Sequence, residues 1–212
     1  MTDASPFSLL FVGDVVGRSG RDAAAEHLPG LIAAHRPELV ILNGENSAHG
    51  FGITPAICAQ FFDMGVDVIT TGNHVWDQRE ILGFIDSEPR LLRPLNYPKG
   101  TPGNGAYATV GRTGKRVLVA NVMLRLFMDA MDDPFPAIDK VLKQAPLGGA
   151  VDAILVDVHG ETTSEKMAWQ FTEEVPHGKD LGMQVISIDH GKVCMRLVPK
   201  PWMLAAASTD EI

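Results

Sequence analysis

Short apolar runs broken by glycine alternate with longer stretches in which apolar residues return every three or four positions. Ser8–Val12 is such a run; it stops at Gly13, as a buried strand does. Residues 18–35 follow, with Ala24, Leu28, Leu31 and Ile32 along one helical face, and Pro29 predicts a kink or an early stop. Leu39–Leu42 is the second strand. Thr54-Pro55 supplies an N-cap and a first helical position, and Gly65 closes that helix. Val66–Thr70 reads as a third strand and Gln78–Ile85 as a short helix. Strand and helix in this alternation predict a parallel sheet joined by right-handed crossovers.

The second half of the chain changes character. Pro94, Pro98, Gly100, Pro102, Gly103 and Gly105 mark a long irregular connection. Two strands then flank Arg112-Thr-Gly114, the second reaching Val117–Ala120, in the pattern of a hairpin. Residues 135–144 read as helix, Ala153–Val156 as another buried strand, and 164–174 as a further helix. Gln184–Ile188 and Lys192–Val198 flank Asp189-His-Gly191, which predicts a closing hairpin over 184–198. The expected organisation is a single α/β domain over residues 1–204, with 205–212 as a frayed tail.

Composition narrows the function classes. With 45% apolar and 21% charged residues over 212 positions, the chain can build a sizeable core, which excludes disorder as its main state. A net charge of −8 without a long basic run argues against binding duplex nucleic acid. The two cysteines, Cys58 and Cys194, form neither a CxxC nor a zinc-ligand spacing. A reducing cytoplasm fits them, and the N-terminal residues lack the basic and apolar regions of a signal peptide or membrane span. The expectation is a soluble cytoplasmic protein without a membrane partner.

The candidate chemistry is positional. In open α/β sheets, ligands bind beyond the carboxyl ends of the strands. Four strand ends carry metal-ligand types: Gly13-Asp14; Asn43-Gly-Glu45-Asn46 with His49 beyond; Thr71-Gly-Asn73-His74; and Asp157-Val-His159-Gly160. If these strands are parallel neighbours, the side chains converge on one edge. Each group taken alone is also explained by helix capping or turn chemistry; it is their coincidence at four strand ends that points to a site. Carboxylate, amide oxygen and imidazole together suit Mn, Fe or Zn better than calcium. Two such ions held roughly 3.5–4 Å apart clamp a phosphate and activate a water. Glu45 or Asp14 can bridge them, and His74 is placed to protonate a leaving oxygen. No GxGxxG or GxxxxGK[ST] loop occurs, so a nucleotide-cradling loop is weakly supported.

At these positions the sequence resembles the bacterial YmdB-type calcineurin-like metallophosphoesterases. The resemblance rests on Gly13-Asp-Val-Val-Gly17-Arg-Ser-Gly-Arg21, Asn43-Gly-Glu-Asn46 with Ala48-His-Gly50, and Thr71-Gly-Asn-His74 with Trp76-Asp77. It also includes Arg93-Pro94 with Asn96, Gly100-Thr-Pro-Gly103, Asp132-Asp-Pro-Phe135 and His159-Gly-Glu-Thr-Thr-Ser-Glu-Lys166, and runs from about residue 8 to about residue 169. It implies a four-layer α/β/β/α sandwich around a dinuclear centre of Mn or Fe. The implied activity is on phosphodiesters such as 2′,3′-cyclic nucleotides, in a protein that forms homo-oligomers. Carried over by motif, Asp14 holds the first metal, Glu45 bridges, and Asn73 and His159 hold the second. Asn46 contacts the phosphate and His74 is the general acid.

The chain departs from the family pattern in two places. A Gly-Thr-His-Thr-His segment, which in the family gives one histidine to each metal, is absent after the Ser-Glu-Lys helix, so a fold shortened in its C-terminal half is expected. His177 and His190 are the histidines that can replace it. Leu124 stands where the family pattern has glycine. Substrate specificity is expected from the loops 94–105 and 122–134. The alternative reading is a catalytically impaired member that binds a nucleotide or a partner.

Overall fold

The computed structural model describes residues 7–166 in full and, beyond them, the backbone of two strands, Met183–Asp189 and Lys192–Leu197. The elements, in chain order, are β1 (Leu9–Val12), α1 (Gly17–His35), β2 (Leu39–Asn43), α2 (Pro55–Asp63) and β3 (Val68–Thr70). Then come 3₁₀ turns at Asn73–Trp76 and Arg79–Gly83, β4 (Ala106–Val110), β5 (Arg116–Met123), α3 (Pro134–Gln144) and β6 (Ala153–His159). The two strands after residue 166 are β7 and β8, which pair antiparallel as the predicted closing hairpin does. The predicted 164–174 helix is seen only as a turn over residues 163–166; its remainder and the tail lie outside the described residues.

β1, β2 and β3 form one parallel sheet in sequential order, as the alternation predicts. β4, β5 and β6 form a second sheet in which β4–β5 is an antiparallel hairpin and β5–β6 is parallel. Side chains alternate between the two faces of a strand, and here that period decides the layering. On β2, Leu39 and Ile41 pack with Val117 and Val119 of β5 and Ala153 of β6, so the two sheets face each other. Val40 and Leu42 point the other way, into a cluster with Leu28 of α1 and Ile57, Cys58 and Phe61 of α2. On the far side, Ala120 and Val122 of β5 pack with Ile138 and Leu142 of α3.

Local chemistry places the helices. Thr54 Oγ1 accepts a hydrogen bond from Ile57 N at 3.3 Å, Pro55 takes the first turn, and α2 ends at Met64-Gly65 with Gly65 at φ +96°. Asp133 caps α3 in the same way, accepting from Phe135 N at 3.0 Å. Pro29 does not stop α1, which runs on to His35. Leu28 and Ile32, on either side of the proline, both pack on the core, and that tertiary anchoring holds the helix across the lost hydrogen bond. Leu31, read as part of the same apolar face, is instead exposed.

The two sheets are tied together at the end opposite the candidate site. Glu38, just before β2, accepts hydrogen bonds on its carboxylate from Thr113 N at 2.9 Å and from the Thr113 hydroxyl, in the β4–β5 turn. Those bonds hold its pKa below the usual carboxylate range, chiefly through the hydroxyl and then the amide. A depressed folded-state pKa gives stability that is present above the unfolded carboxylate value and lost as pH falls through the folded one. Glu38→Gln should therefore lower Tm near neutral pH by about 2–4 °C, the equivalent of about 1 kcal/mol after solvent screening. As pH falls from about 4.3 through the lower folded-state value, the two melting curves should converge. Melts across that range check this, and a difference that persists in acid would show that the carboxylate charge is not what matters.

Candidate active site

The inter-sheet face changes from apolar to polar along each strand. Leu39 and Ile41 are followed at the same parity by Asn43, Val117 and Val119 by Asn121, and Ala153 and Leu155 by Asp157 and His159. The last turns of the parallel strands thus bring polar side chains to the mouth of a dry core. Asn43 Nδ2 donates to Asp157 Oδ2 at 3.0 Å, bridging the two sheets. Asn121 Nδ2 donates to Thr71 O at 2.7 Å, bridging them again. The four strand ends do not lie side by side in one sheet, as the sequence suggested. His159 belongs to the opposite sheet and reaches the others because the sheets are stacked.

Glu45 sits at the centre and is fully buried. Asn43 Oδ1 accepts from Glu45 N at 3.1 Å, a side-chain turn that bends the chain directly after β2. Glu45 Oε1 accepts from His74 N at 2.9 Å. His159 Nδ1 lies 3.0 Å from Glu45 Oε2, which otherwise has no hydrogen-bond partner among the described residues. The second nitrogen of His159, Nε2, is 2.9 Å from Asn73 Oδ1. Burial lowers the pKa of this imidazole, but the Glu45 carboxylate and, after it, Asp157 and Glu161 outweigh burial and raise it. Burial likewise pushes the Asp157 carboxyl up, against the pull of Thr70, Asn43 and His159.

The remaining candidates stand around this cluster. Asp14 is exposed and joins it through Asn46, whose Nδ2 donates to Asp14 Oδ2 at 2.8 Å. No hydrogen bond or ion pair links Asp14 to Glu45, Asn73 or His159 among the described residues. The β1 and β2 loops are laced by backbone bonds from Val15 N to Asn43 O at 3.0 Å and from Gly17 N to Asn46 O at 2.8 Å. Arg21 of α1 adds a guanidinium bond to Ser47 O. His74 lies in the 3₁₀ turn after β3, with Nδ1 2.8 Å from Asp77 Oδ2 and its ring in edge contact with Phe51. His49, by contrast, is exposed at φ +59°, and none of these contacts involves it.

Phe51 was not singled out by sequence reasoning, and Asp77 and Asp157 appeared only as motif neighbours of His74 and His159, with no role assigned. A usable signal existed for Asn43, Asn121 and Asp157: each continues an alternating apolar stripe at the parity that faces the other sheet. Leu124 is buried, its side chain lying over Gly160, and its N–H donates to His159 O at 2.8 Å. His177 and His190 lie outside the described residues.

The donor set can be judged for a metal ion. A buried carboxylate with one oxygen unpaired by any hydrogen bond, an imidazole and an amide oxygen meet within hydrogen-bond distance, and this N/O mixture fits a borderline divalent cation. Glu45 and His159 meet there directly, and Glu161 Oε1 lies 4.0 Å from His159 Nε2. No group of three or more His, Cys, Asp or Glu residues among the described ones forms a metal-holding cluster. Glu45 Oε2 and Asn73 Oδ1 face different nitrogens of the His159 ring, so the three are ligand-type groups gathered at one place, with the donor chemistry a divalent cation takes.

Comparison with known proteins gives matches over the same part of the chain. A family model described as YmdB-like protein matches residues 10–175. A 2′,3′-cyclic-nucleotide 2′-phosphodiesterase of Bacillus subtilis (strain 168) is 45% identical over 160 residues, 76% of this chain and 60% of the relative. Two crystal structures superpose with TM-scores of 0.71: a hypothetical protein from Thermus thermophilus and a novel phosphatase from Mycoplasma pneumoniae. The first is 42% identical and covers 79% of this chain and 63% of that one. The second is 28% identical and covers 80% and 61%. The chain thus spans about 60% of the length of its curated relative.

The packing of this site against Gly72 is directly testable. A Cβ at Gly72 would meet both carboxylate oxygens of Glu45, which is buried and has nowhere to move. Gly72→Ala should therefore lower unfolding stability by about 1–3 kcal/mol, read from urea melts. Gly83→Ala, whose Cβ would meet nothing within 4 Å, is the control. Equal midpoints for the two variants would show that the Glu45 carboxylate is not held where the structure puts it.

Proposed function

The chain belongs to the YmdB-like family, and from that membership and the convergence at Glu45 we propose that it is a metal-dependent phosphodiesterase acting on cyclic nucleotides of the 2′,3′ type. The meeting of Glu45, Asn73 and His159 across two sheets carries the reading, because a carboxylate is buried there beside ligand-type groups. The layering of helix, sheet, sheet and helix supports the calcineurin-like α/β/β/α sandwich. We assign this to one domain over residues 1–204, in a cytoplasmic and self-associating protein. Cys58 accords with that setting: it is free and buried, and burial pushes its thiol pKa up to about 12. Among the described residues no helix is long and apolar enough to cross a membrane.

In this reading Glu45, Asn73 and His159 would hold one Mn or Fe ion, and Asp14 would contribute to a second. The ions supply neutralisation of the phosphoryl oxygens and an acidified water. The chain's own residues do the rest. Asn46 offers its amide to the phosphate, with Asp14 fixing its orientation from the other side. Asp77 pins His74 Nδ1, and the backbone N–H of His74 is fixed by Glu45, so Nε2 is the ring nitrogen left to deliver a proton to the departing ribose oxygen. Asp157, through Asn43, steadies the turn that carries Glu45.

The test is hydrolysis of a chromogenic phosphodiester with added Mn²⁺, run beside Asp14→Asn. We expect turnover in the parent chain, reduced by at least about tenfold to a hundredfold in the variant. Equal background rates in both would defeat the enzyme reading and leave a nucleotide- or partner-binding role.

A further inference from the structure

Phe51 is a large apolar residue that the fold leaves 57% exposed beside the candidate general acid. Its ring centroid lies 5.1 Å from that of His74, with the planes at 74°, so the contact engages at most one face of the phenyl ring. The ring is also held where it is. Gly50 at φ +95° and Gly52 at φ +77° put left-handed backbone on both sides of it, and the Phe51 carbonyl accepts from Gln78 Nε2 at 2.7 Å. A side chain at Gly52 would press on the His74 carbonyl, so the loop tip and the His74 turn are packed backbone to backbone. Phe127 is more exposed, at 84%, but no ring contact ties it to His74 among the described residues.

Exposure alone does not set Phe51 apart, since other apolar side chains are exposed too; its place beside His74 does. Its position is specific, one imidazole away from where a ribose oxygen would leave, on the loop that carries Glu45 and Asn46. A nucleotide whose phosphate lies near Asn46 and whose ribose lies near His74 has its base as the next group outward. Every base has a π face, and stacking on an aromatic side chain tolerates any of them.

We propose that Phe51 is a specificity-determining residue, an aromatic platform on which the substrate's base stacks, and this rests on the phosphodiesterase reading. The consequence is selectivity for nucleotides over base-free sugar phosphates, with little preference among bases. Specificity would then sit partly on the 44–52 loop, in addition to the loops 94–105 and 122–134.

The experiment is calorimetric titration of the Mn²⁺-loaded full chain with adenosine 3′-monophosphate and, separately, ribose 3-phosphate. We expect the nucleotide to bind about tenfold more tightly, Phe51→Ala to remove that preference while leaving ribose phosphate binding unchanged, and Phe51→Trp to keep it. If Phe51→Ala weakens both ligands equally, the ring only supports His74 and the platform is overturned. If the parent chain binds the two equally, the platform is overturned while the phosphodiesterase reading survives. If it binds neither, both fall. Thermal melts of each variant accompany the titrations, so a folding loss is read separately from a stacking loss.

Discussion

A carboxylate with no exposure to water is the constraint on which the rest of this structure depends. Leaving a charged group buried and unpaired costs several kcal/mol or more, roughly, so whatever surrounds Glu45 must compensate it. The protein supplies a backbone N–H from the His74 turn, the His159 imidazole and the Asn43 side chain that orders the bend. Each comes from a different element: the loop after β3, the end of β6 and the end of β2. Satisfying one carboxylate therefore fixes the relative position of two sheets and a turn. Apart from His159, the described residues give Glu45 Oε2 no partner, and a cation is what such an oxygen can take.

Strand parity does the positioning. A side-chain period of two sends alternate residues to the inter-sheet face, and on β2, β5 and β6 those residues are apolar until the carboxyl end. The stripe that builds the core thus becomes the stripe that builds the site, with no change of backbone conformation. Asn43, Asp157 and His159 gain rigidity from this, since a shift of one residue in register would turn them toward the helices. Asp14, Asn46 and His74 lie on connecting segments, and each is held by a specific partner rather than by a strand: Asp14 and Asn46 by each other, and His74 by Asp77.

The alternation of apolar runs and helical spacing in the first ninety or so residues made the parallel sheet legible, because several of its boundaries fall at residues with a local physical reason. Thr54-Pro55 and Gly65 are examples. What was not legible is the second sheet. A run such as Ala153–Val156 reads as a buried strand whichever sheet it joins, and only tertiary packing decides. That is why His159 was expected beside the other strand ends and is found across from them. Pro29 failed as a helix stop for a related reason: local propensity gave way to Leu28 and Ile32 anchored on the core. Phe51 and Asp77 were invisible as site residues because both gain their meaning from His74, one through a ring contact and the other through a hydrogen bond.

The orientation of His74 shows how much of the proposed chemistry is already set by the chain itself. A free imidazole offers two nitrogens and can rotate to present either. Here Asp77 Oδ2 lies 2.8 Å from Nδ1, a carboxylate acceptor that favours the proton on that nitrogen. Nε2 is then an acceptor in the neutral ring and a donor in the charged one, which is the property a group needs in order to carry a proton to a leaving oxygen. Asp77 therefore settles which nitrogen works before any substrate or ion arrives.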